Sequence, residues 1–560
     1  MVRASVFAIL GLLTAAIPTA ADAPKLTFLQ PAGGQRGTEV TVTCHGEFPW
    51  PVQVDMEGVH VGTLEEKGKL KLQIPQNLNQ DRAWIRLYND EGASERVPFL
   101  IGNLADVSEQ EPNDALEQAQ QLERQTSTVN GLLEKNGDSD AFAVECQAGQ
   151  VLIAALEANA ALGSPMDAIL QIVSREGNIL AENHDCVGLD PRVVYEVTES
   201  GTYYVRLFAF AANPNTSIRY HGGDDYVYRL TITTGPFISH VTPSIVQDPE
   251  HDDQHGGTVE RSGEIVVTPI GWNIAGGTRL LAFAQGASGA STSGEVENDS
   301  DFRLSPTSRL GLVHAPGFAG RLRVRLDRYD TVSGTTCPVP GSHCGCLTEP
   351  RQIDSFALAV AKEQPIVILV ESPGIDSPLA PEVVLTEPSG KVVSEAGSAG
   401  AASDVVIRHT PTEDGVYRLT IRDRYGAGSP QHIYRFTVRP DIPDYRLSVD
   451  DERVIVSPGK ETELTIKVAR HAVGQHRIGE IKIGVMGLPD SVDCQEAVSA
   501  SDGDTAEKVV LSLAAHGEPF SGPIVIRGLA EEDGEVTERF AFGPPKLGVS
   551  TTRLWLTVKQ

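Results

Sequence analysis

Along most of this chain, apolar and polar positions alternate with a period of two. The segments "TEVTVTCHG", "LKLQIP", "AWIRLYND", "YVYRLTITT", "GEIVVTPIG", "GRLRVRLDRYD", "PIVILVES", "ELTIKVA" and "PIVIRGL" are short, rich in β-branched or aromatic residues, and bounded by Gly, Pro, Asn or Asp. That pattern predicts strands with one buried face. A period of 3.6 is almost absent; its best instance is "DALEQAQQLER", where Asp114 is placed to cap a helix of two or three turns. Many short strands at this spacing predict an all-β chain of tandem antiparallel β-sandwiches.

The pattern also repeats. "DAFAVECQAGQVLIAALEA" from Asp140 lies without gaps on "DSFALAVAKEQPIVILVES" from Asp354, which puts Asp140 on Asp354, Phe142 on Phe356, Gln150 on Gln364 and Glu157 on Glu371. "ESGTYYVRL" answers "EDGVYRLTI", and "YVYRLTI" answers "HIYRFTV". Two copies of one β-module are therefore expected, with Ig-like sandwiches before, between and after them. The expected order is an Ig-like sandwich over 22–104, the first copy over 105–236, and an Ig-like sandwich with polar insertions and a cysteine loop over 237–350. A degenerate second copy over 351–441 and a last Ig-like sandwich over 442–560 complete it. Ahead of the second copy the acidic stretch "EQEPND" and the turn "KNGDSD" are missing. A scaffold that keeps its core pattern but loses these carboxylates implies that they serve something other than folding.

At 560 residues the chain is too long for one core, which agrees with several domains. "MVRASVFAILGLLTAAIPTAADAPK" runs from Arg3 through a short apolar stretch to small residues, and reads as a secretory signal peptide over 1–21. No later stretch offers the ~18 uninterrupted apolar residues of a membrane span. The expected location is therefore outside the cytoplasm: secreted, periplasmic or held at the cell surface. Asp and Glu outnumber Lys and Arg by 75 to 46, a formal charge of −29, so nucleic acid and anionic membranes are poor partners. Divalent cations or basic partners remain compatible. Most of these carboxylates are expected on a solvated face.

Seven cysteines stand in a compartment that permits disulfides. Cys337, Cys344 and Cys346 crowd beside His343 in "CPVPGSHCGC". A loop disulfide is the expectation there, with a zinc site as the alternative, although the usual paired spacing is absent. Cys146 and Cys186 are candidates to pair, and Cys44 and Cys494 are expected as buried thiols.

The most informative stretch is "SEQEPNDALEQAQQL", residues 108–122. In an extended segment the side chains at 109, 111 and 113 point one way, and Pro112 favours extended conformations at Glu111. Three oxygen donors in a row are too spread out to wrap an ion, so a second segment must close the shell. Asp138 and Asp140, two apart and beside a Gly137 turn, are suited to that, although "KNGDSD" also reads as an ordinary hairpin. Calcium takes six to eight oxygens, mostly carboxylate and carbonyl.

"EQEPNDALEQAQQL", "VNGLL", "GDSDAF", "QAGQVLIAAL", "REGNILAE" and "ESGTYYVRL", in that order, make the first copy resemble the bacterial pre-peptidase C-terminal domain family, to which the collagen-binding domains of bacterial collagenases are related. The resemblance implies a calcium site. Carried over residue by residue, its ligands are Glu109, Glu111, Asn113, Asp114, Asp138 and Asp140. The affinity expected of such extracellular modules is on the order of 10⁻⁴ to 10⁻³ M. The family's place beside peptidases raises the question of catalysis. "PGIDSP" resembles the aspartate motif of subtilisin-like proteases, but it falls inside the repeat as a loop. No G-T-S-x-A or G-x-S-x-G stretch, no H-E-x-x-H pair and no phosphate-binding glycine loop is present. "QDPEHDDQHGG" offers His251, Asp252, Asp253 and His255 as transition-metal ligands, against the plainer reading of a polar insertion. Tyr203, Tyr204 and Tyr226 are candidates for a binding surface, with at most one of the adjacent pair exposed. The expected function is a secreted, non-catalytic binding or adhesion protein with a calcium-stabilised module, directed at an extracellular protein or polysaccharide. The alternative is an accessory or targeting component of a secreted hydrolase.

Overall fold

The computed structural model describes residues 22–559 apart from 79, 214–218, 248–264, 285–294, 298–308, 321–322, 328–333, 373–374, 376, 398–403 and 533. The leader, the cluster of His251, Asp252, Asp253 and His255, and Pro373, Gly374 and Asp376 of "PGIDSP" lie outside the described residues. The chain is all-β, and α-helix among the described residues is confined to Asn159–Leu162. No helix there is long and apolar enough to cross a membrane.

The helix expected at 114–124 is one 3-10 turn, Leu116–Gln118, preceded by Ala115 with no side-chain cap. Asp114 caps nothing. An isolated two-turn helix is marginal, and strand pairing displaces it: Gln120–Gln121 runs parallel to Asp140–Cys146, while the Gln120 amide accepts from Gln110 N–H at 2.9 Å and donates to Ser108 C=O at 3.0 Å.

Alternating side chains close separate hydrophobic cores along the chain. One spans residues between Leu26 and Ile101, one between Leu122 and Ile232, one between Ile238 and Ala315, one between Cys337 and Val438, and one between Tyr445 and Val558. In the first, Leu29, Val42, Leu72, Ile85 and Phe99 fill the space between two sheets.

The duplication holds strand by strand. In the first copy one sheet runs Thr126–Leu132, Val227–Thr233, Val151–Glu157, Arg192–Glu196; the other runs Gln120–Gln121, Asp140–Cys146, Gly201–Ala211, Met166–Val173, Ile179–Asn183. The second copy repeats both orders. One sheet is Gly341–Cys346, Ile433–Pro440, Ile366–Glu371, Val405–His409; the other is Thr336–Cys337, Ile353–Val360, Gly415–Asp423, Pro381–Thr386, Val392–Gly397. Register is kept too, since Glu157 faces Arg229 and Glu371 faces Arg435. Among the described residues only the first copy adds a strand such as Asp106–Ser108, parallel to Thr126–Leu132.

This corrects the place of the cysteine loop. "CPVPGSHCGC" does not close the preceding sandwich; it supplies the opening strands of the second copy, which starts at Thr336 and not at Arg351. None of the seven cysteines is joined in a disulfide. Cys337 is fully buried in the core, as Leu122 is in the first copy, and burial pushes its thiol up to about 12. Cys344 and Cys346 sit two apart on the strand Gly341–Cys346, both half-buried and unjoined. His343, on the other face of that strand, packs against Phe356 and Phe436 and not toward the thiols. Cys146 is locked into the first copy's core by the strand Asp140–Cys146, while Cys186 lies partly exposed in a loop, so these two do not pair. Cys44 is buried as expected; Cys494 is half-buried.

One device recurs at the same place in both copies. Tyr228 and Tyr434 cross from one sheet toward Asp140 and Asp354 of the other, passing over Gly131 and Gly345. A Cβ on Gly131 would stand 2.2 Å from the Tyr228 hydroxyl, and one on Gly345 equally 2.2 Å from that of Tyr434. Gly345→Ala should therefore destabilise its module by about 1–3 kcal/mol through overpacking. Calorimetric scans of the native and variant chains check this, and an unchanged transition would contradict the stated role of the glycine.

Candidate metal centre

The structure gathers the six sequence-chosen oxygen donors at one end of the first copy. The segment after Ser108 does not run straight. It bends at Glu111, so Glu109 is half-buried, Glu111 exposed and Asn113 fully buried, and the expected row of three donors is folded back on itself. Local bonds set that bend: Asn113 N–H donates to Glu111 Oε2 at 3.0 Å, and the Asn113 amide donates to Glu109 Oε1 at 3.0 Å. The second segment is stitched to the first. Ala141 N–H donates to Asn113 C=O at 3.0 Å, and the Ser139 hydroxyl to Asp114 C=O at 3.0 Å.

Oxygens of Glu109, Glu111 and Asp140 lie within 4.8 Å of one another, as do those of Glu111, Asp114 and Asp138. Ligands of a calcium ion stand 2.3–2.6 Å from it, so two of them can be up to about 5 Å apart, and both trios are close enough. Glu111 belongs to both. The interior of the cluster lacks partners. Asn113 Oδ1, Asp138 Oδ1 and Asp140 Oδ1 are buried with no hydrogen bond, on side chains with no exposure. Buried acceptors without partners are rare and costly. Lys135 approaches only from outside, its Nζ 3.7 Å from Asp138 Oδ1 and 3.9 Å from Asp114 Oδ2.

The remaining oxygens are held in place. Glu109 Oε2 accepts from Leu132 N–H at 2.7 Å, and Asp138 Oδ2 from Glu134 N–H at 2.5 Å. Tyr228 Oη stands 2.5 Å from Asp140 Oδ2 and 3.0 Å from Glu109 Oε1 with one hydrogen to give. Burial, and then the neighbouring Glu109 charge, holds the Asp140 carboxyl well above the usual carboxylate range. Burial followed by Asp114 raises Asp138, and burial above all raises Glu111. The unaided pocket thus disfavours its own negative charge.

The second copy is an internal control. Asp140 corresponds to Asp354 and Asp138 to Gln352. There the Gln352 amide donates to Asp354 Oδ1 at 2.8 Å, and Tyr434 Oη donates to Asp354 Oδ2. Both oxygens of that carboxylate are satisfied by side chains, and the acidic segment is gone.

Tyr228, buried and central, was not singled out from the sequence; the aligned "YVYRLTI" and "HIYRFTV" carried the signal. Tyr203 and Tyr226 belong to the core and Tyr204 is half-buried, so the first two offer no binding surface.

No family model matches the chain. It is 29% identical over 118 residues to a probable subtilase-type serine protease of Deinococcus radiodurans, a stretch that covers 20% of this chain and 16% of that protein. The chain thus spans about a sixth of the length of this curated relative. Among solved structures it is similar to the pre-peptidase C-terminal domain of a collagenase from Bacillus anthracis, at 17% identity over 20% of this chain and 95% of that one, with a TM-score of 0.15. It is also similar to the four N-terminal Ig domains of Dscam1, at 8% identity over 93% of this chain and 99% of that one, with a TM-score of 0.19.

The raised carboxyls set the sign of a pH effect. A carboxyl whose folded pKa lies above its unfolded one makes the native state bind protons more readily, so stability falls as pH climbs from the unfolded value through the folded one. In chelator, the first copy should therefore melt at a higher temperature near pH 5 than near pH 7. Melts across that range check it, and stability rising with pH in chelator would contradict the geometry described.

Proposed function

We propose that the first copy is a calcium-stabilised β-sandwich in a secreted, non-catalytic chain that binds an extracellular protein or polysaccharide. One observation carries the calcium half. Three buried oxygens, from Asn113, Asp138 and Asp140, lack partners in the first copy, while the second copy fills the equivalent need with the Gln352 amide. A hard cation with oxygen ligands suits that set better than a transition metal, since no sulfur or imidazole is among the donors. Glu109, Glu111, Asn113, Asp114, Asp138 and Asp140 would hold the ion. Its effect would be to fasten the segment 109–114 to the turn at 138–140.

The binding half rests on architecture: five tandem units with the boundaries given above, the second copy opening at Thr336, and none of the catalytic motifs sought in the sequence. Similarity to part of a subtilase-type protease favours a second reading, an accessory or targeting component of a secreted hydrolase. A pull-down from spent medium separates them. Retention on an insoluble polymer supports the first, and a co-purifying hydrolase the second.

With a dissociation constant on the order of 10⁻⁴ to 10⁻³ M, 10 mM calcium should stabilise the site by about 1.4 to 2.7 kcal/mol. That raises the melting temperature of the first copy by about 5–10 °C. The shift should vanish in a Glu111→Ala, Asp140→Ala double variant. Equal melts with calcium and with chelator in the native chain would refute the calcium reading.

A further inference from the structure

The two ends of the chain meet, the last sandwich covering an outer face of the first. Along Arg82–Asn89, Ala83, Ile85 and Leu87 enter the first core, so Trp84, Arg86 and Tyr88 share the opposite face. Such a face is ordinarily solvated, yet Trp84 is 8% and Arg86 3% exposed. Their cover is largely charged. Glu452 sits between two guanidinium groups, with Oε1 2.6 Å from Arg86 Nη2 and Oε2 2.9 Å from Arg96 Nε. Around that centre Arg553 holds both oxygens of Asp55, at 2.5 and 2.8 Å, Lys546 reaches Glu95 at 2.9 Å and Lys559 reaches Glu91 at 2.8 Å. Both sandwiches supply cations and both supply carboxylates. Apolar contact is centred on Trp555, which packs on Tyr88 at 4.8 Å. Each sandwich keeps its own core, and neither core draws a residue from the other.

The joint between the first copy and the middle sandwich is built the other way. Leu104, Ile153, Phe237 and Ala319, each at most 5% exposed, form one apolar cluster, and Arg192 lies over both Phe237 and Trp272, at 5.6 and 5.3 Å. Parting that joint would bring apolar surface into water, which the hydrophobic effect opposes. Parting the joint between the two ends brings out chiefly charged groups, which water solvates, and the attraction lost is one that salt weakens. Polar interfaces between units of one chain are the ones that move.

The last sandwich makes two further contacts, both small. Its hairpin tip, Leu547–Gly548, has positive φ at both residues, 51° and 75°, and so places a leucine where such turns ordinarily take Asn or Gly. Leu547 lies against Gly163 of the first copy, where a Cβ would stand 3.2 Å from its Cδ2. Val549–Thr551 pairs with Glu295–Glu297 over three residues. We propose that the joint between the first and last sandwiches is an electrostatic clasp, centred on Glu452, which closes the chain on itself and opens without unfolding either sandwich when its ion pairs are screened or removed. Opening swings the last sandwich about residues 441–443, which join it to the second copy, and uncovers Trp84, Arg86 and Trp555.

Small-angle scattering and tryptophan emission of the full chain test this, in chelator throughout so that the calcium reading does not enter. Potassium chloride is raised from about 0.05 to about 1 M, where the screening length falls to about 3 Å. The radius of gyration should rise and the emission move to the red, since Trp84 and Trp555 are two of the four tryptophans, while far-UV circular dichroism stays native. Glu452→Gln leaves Arg86 and Arg96 without their carboxylate and should shift the balance toward the open form about a hundredfold, so that the chain is expanded at the lowest salt. Asp55→Arg sets two guanidinium groups against each other and should also open it. Adding Arg553→Asp to that variant restores a pair of opposite charges and should close it again, a rescue that damage to folding would not give. A radius of gyration constant across the salt range, a Glu452→Gln chain as compact as the native one, a double variant as expanded as Asp55→Arg alone, or expansion that comes only with loss of circular dichroism overturns the proposal.

Discussion

A buried oxygen without a hydrogen bond is costly, and the first copy of this duplicated module holds three of them. Asn113 Oδ1, Asp138 Oδ1 and Asp140 Oδ1 are buried without a hydrogen bond, beside two carboxylate trios that share Glu111. Every other oxygen of the buried carboxylates there is held by a backbone N–H or by Tyr228. Those three bare oxygens are what the proposed cation would answer.

The second copy shows which parts of this arrangement belong to the scaffold. Tyr434, Asp354 and Gly345 repeat Tyr228, Asp140 and Gly131, so the tyrosine bridge between sheets does not depend on the acidic segment. Where the acidic segment is absent, Gln352 takes over one oxygen of the aspartate. A second pair diverges in the same spirit. Arg435 and Glu371 form a buried bidentate pair, whereas Arg229 leaves Glu157 and turns to Asp106 at 2.9 Å and Asn130 at 2.7 Å. The two copies therefore give equivalent groups different partners, and the segment from Asp106 to Asp114 is what sets the first apart.

The period-two alternation was enough to read the all-β class and the sandwiches, because each strand buries one face. The duplication was legible because core positions such as Phe142 and Phe356 keep their spacing. The opening strands of the second copy were not: "CPVPGSHCGC" has few β-branched residues, and its thiols read more strongly as chemistry than as the core filler that Cys337 is. The acidic residues could be named from sequence, but their fold-back could not, since it depends on the Asn113 N–H finding the Glu111 carboxylate and on strand pairing at Gln120 overriding helix propensity. The joint between the first and last sandwiches was hidden for another reason. "RAWIRLYN" places Arg and Trp on a face that alternation alone marks as solvated, and its cover, Glu452 and Trp555, lies more than 350 residues away.

The central claim is that a cation supplies what the buried oxygens of Asn113, Asp138 and Asp140 lack. A crystal structure of the chain grown in calcium tests it most directly. The account predicts a single strong density peak 2.3–2.6 Å from all three oxygens, with carboxylates of Glu109 or Glu111 completing the shell. A water at hydrogen-bonding distance in that place, beside protonated carboxyl groups and with calcium in excess, would contradict it.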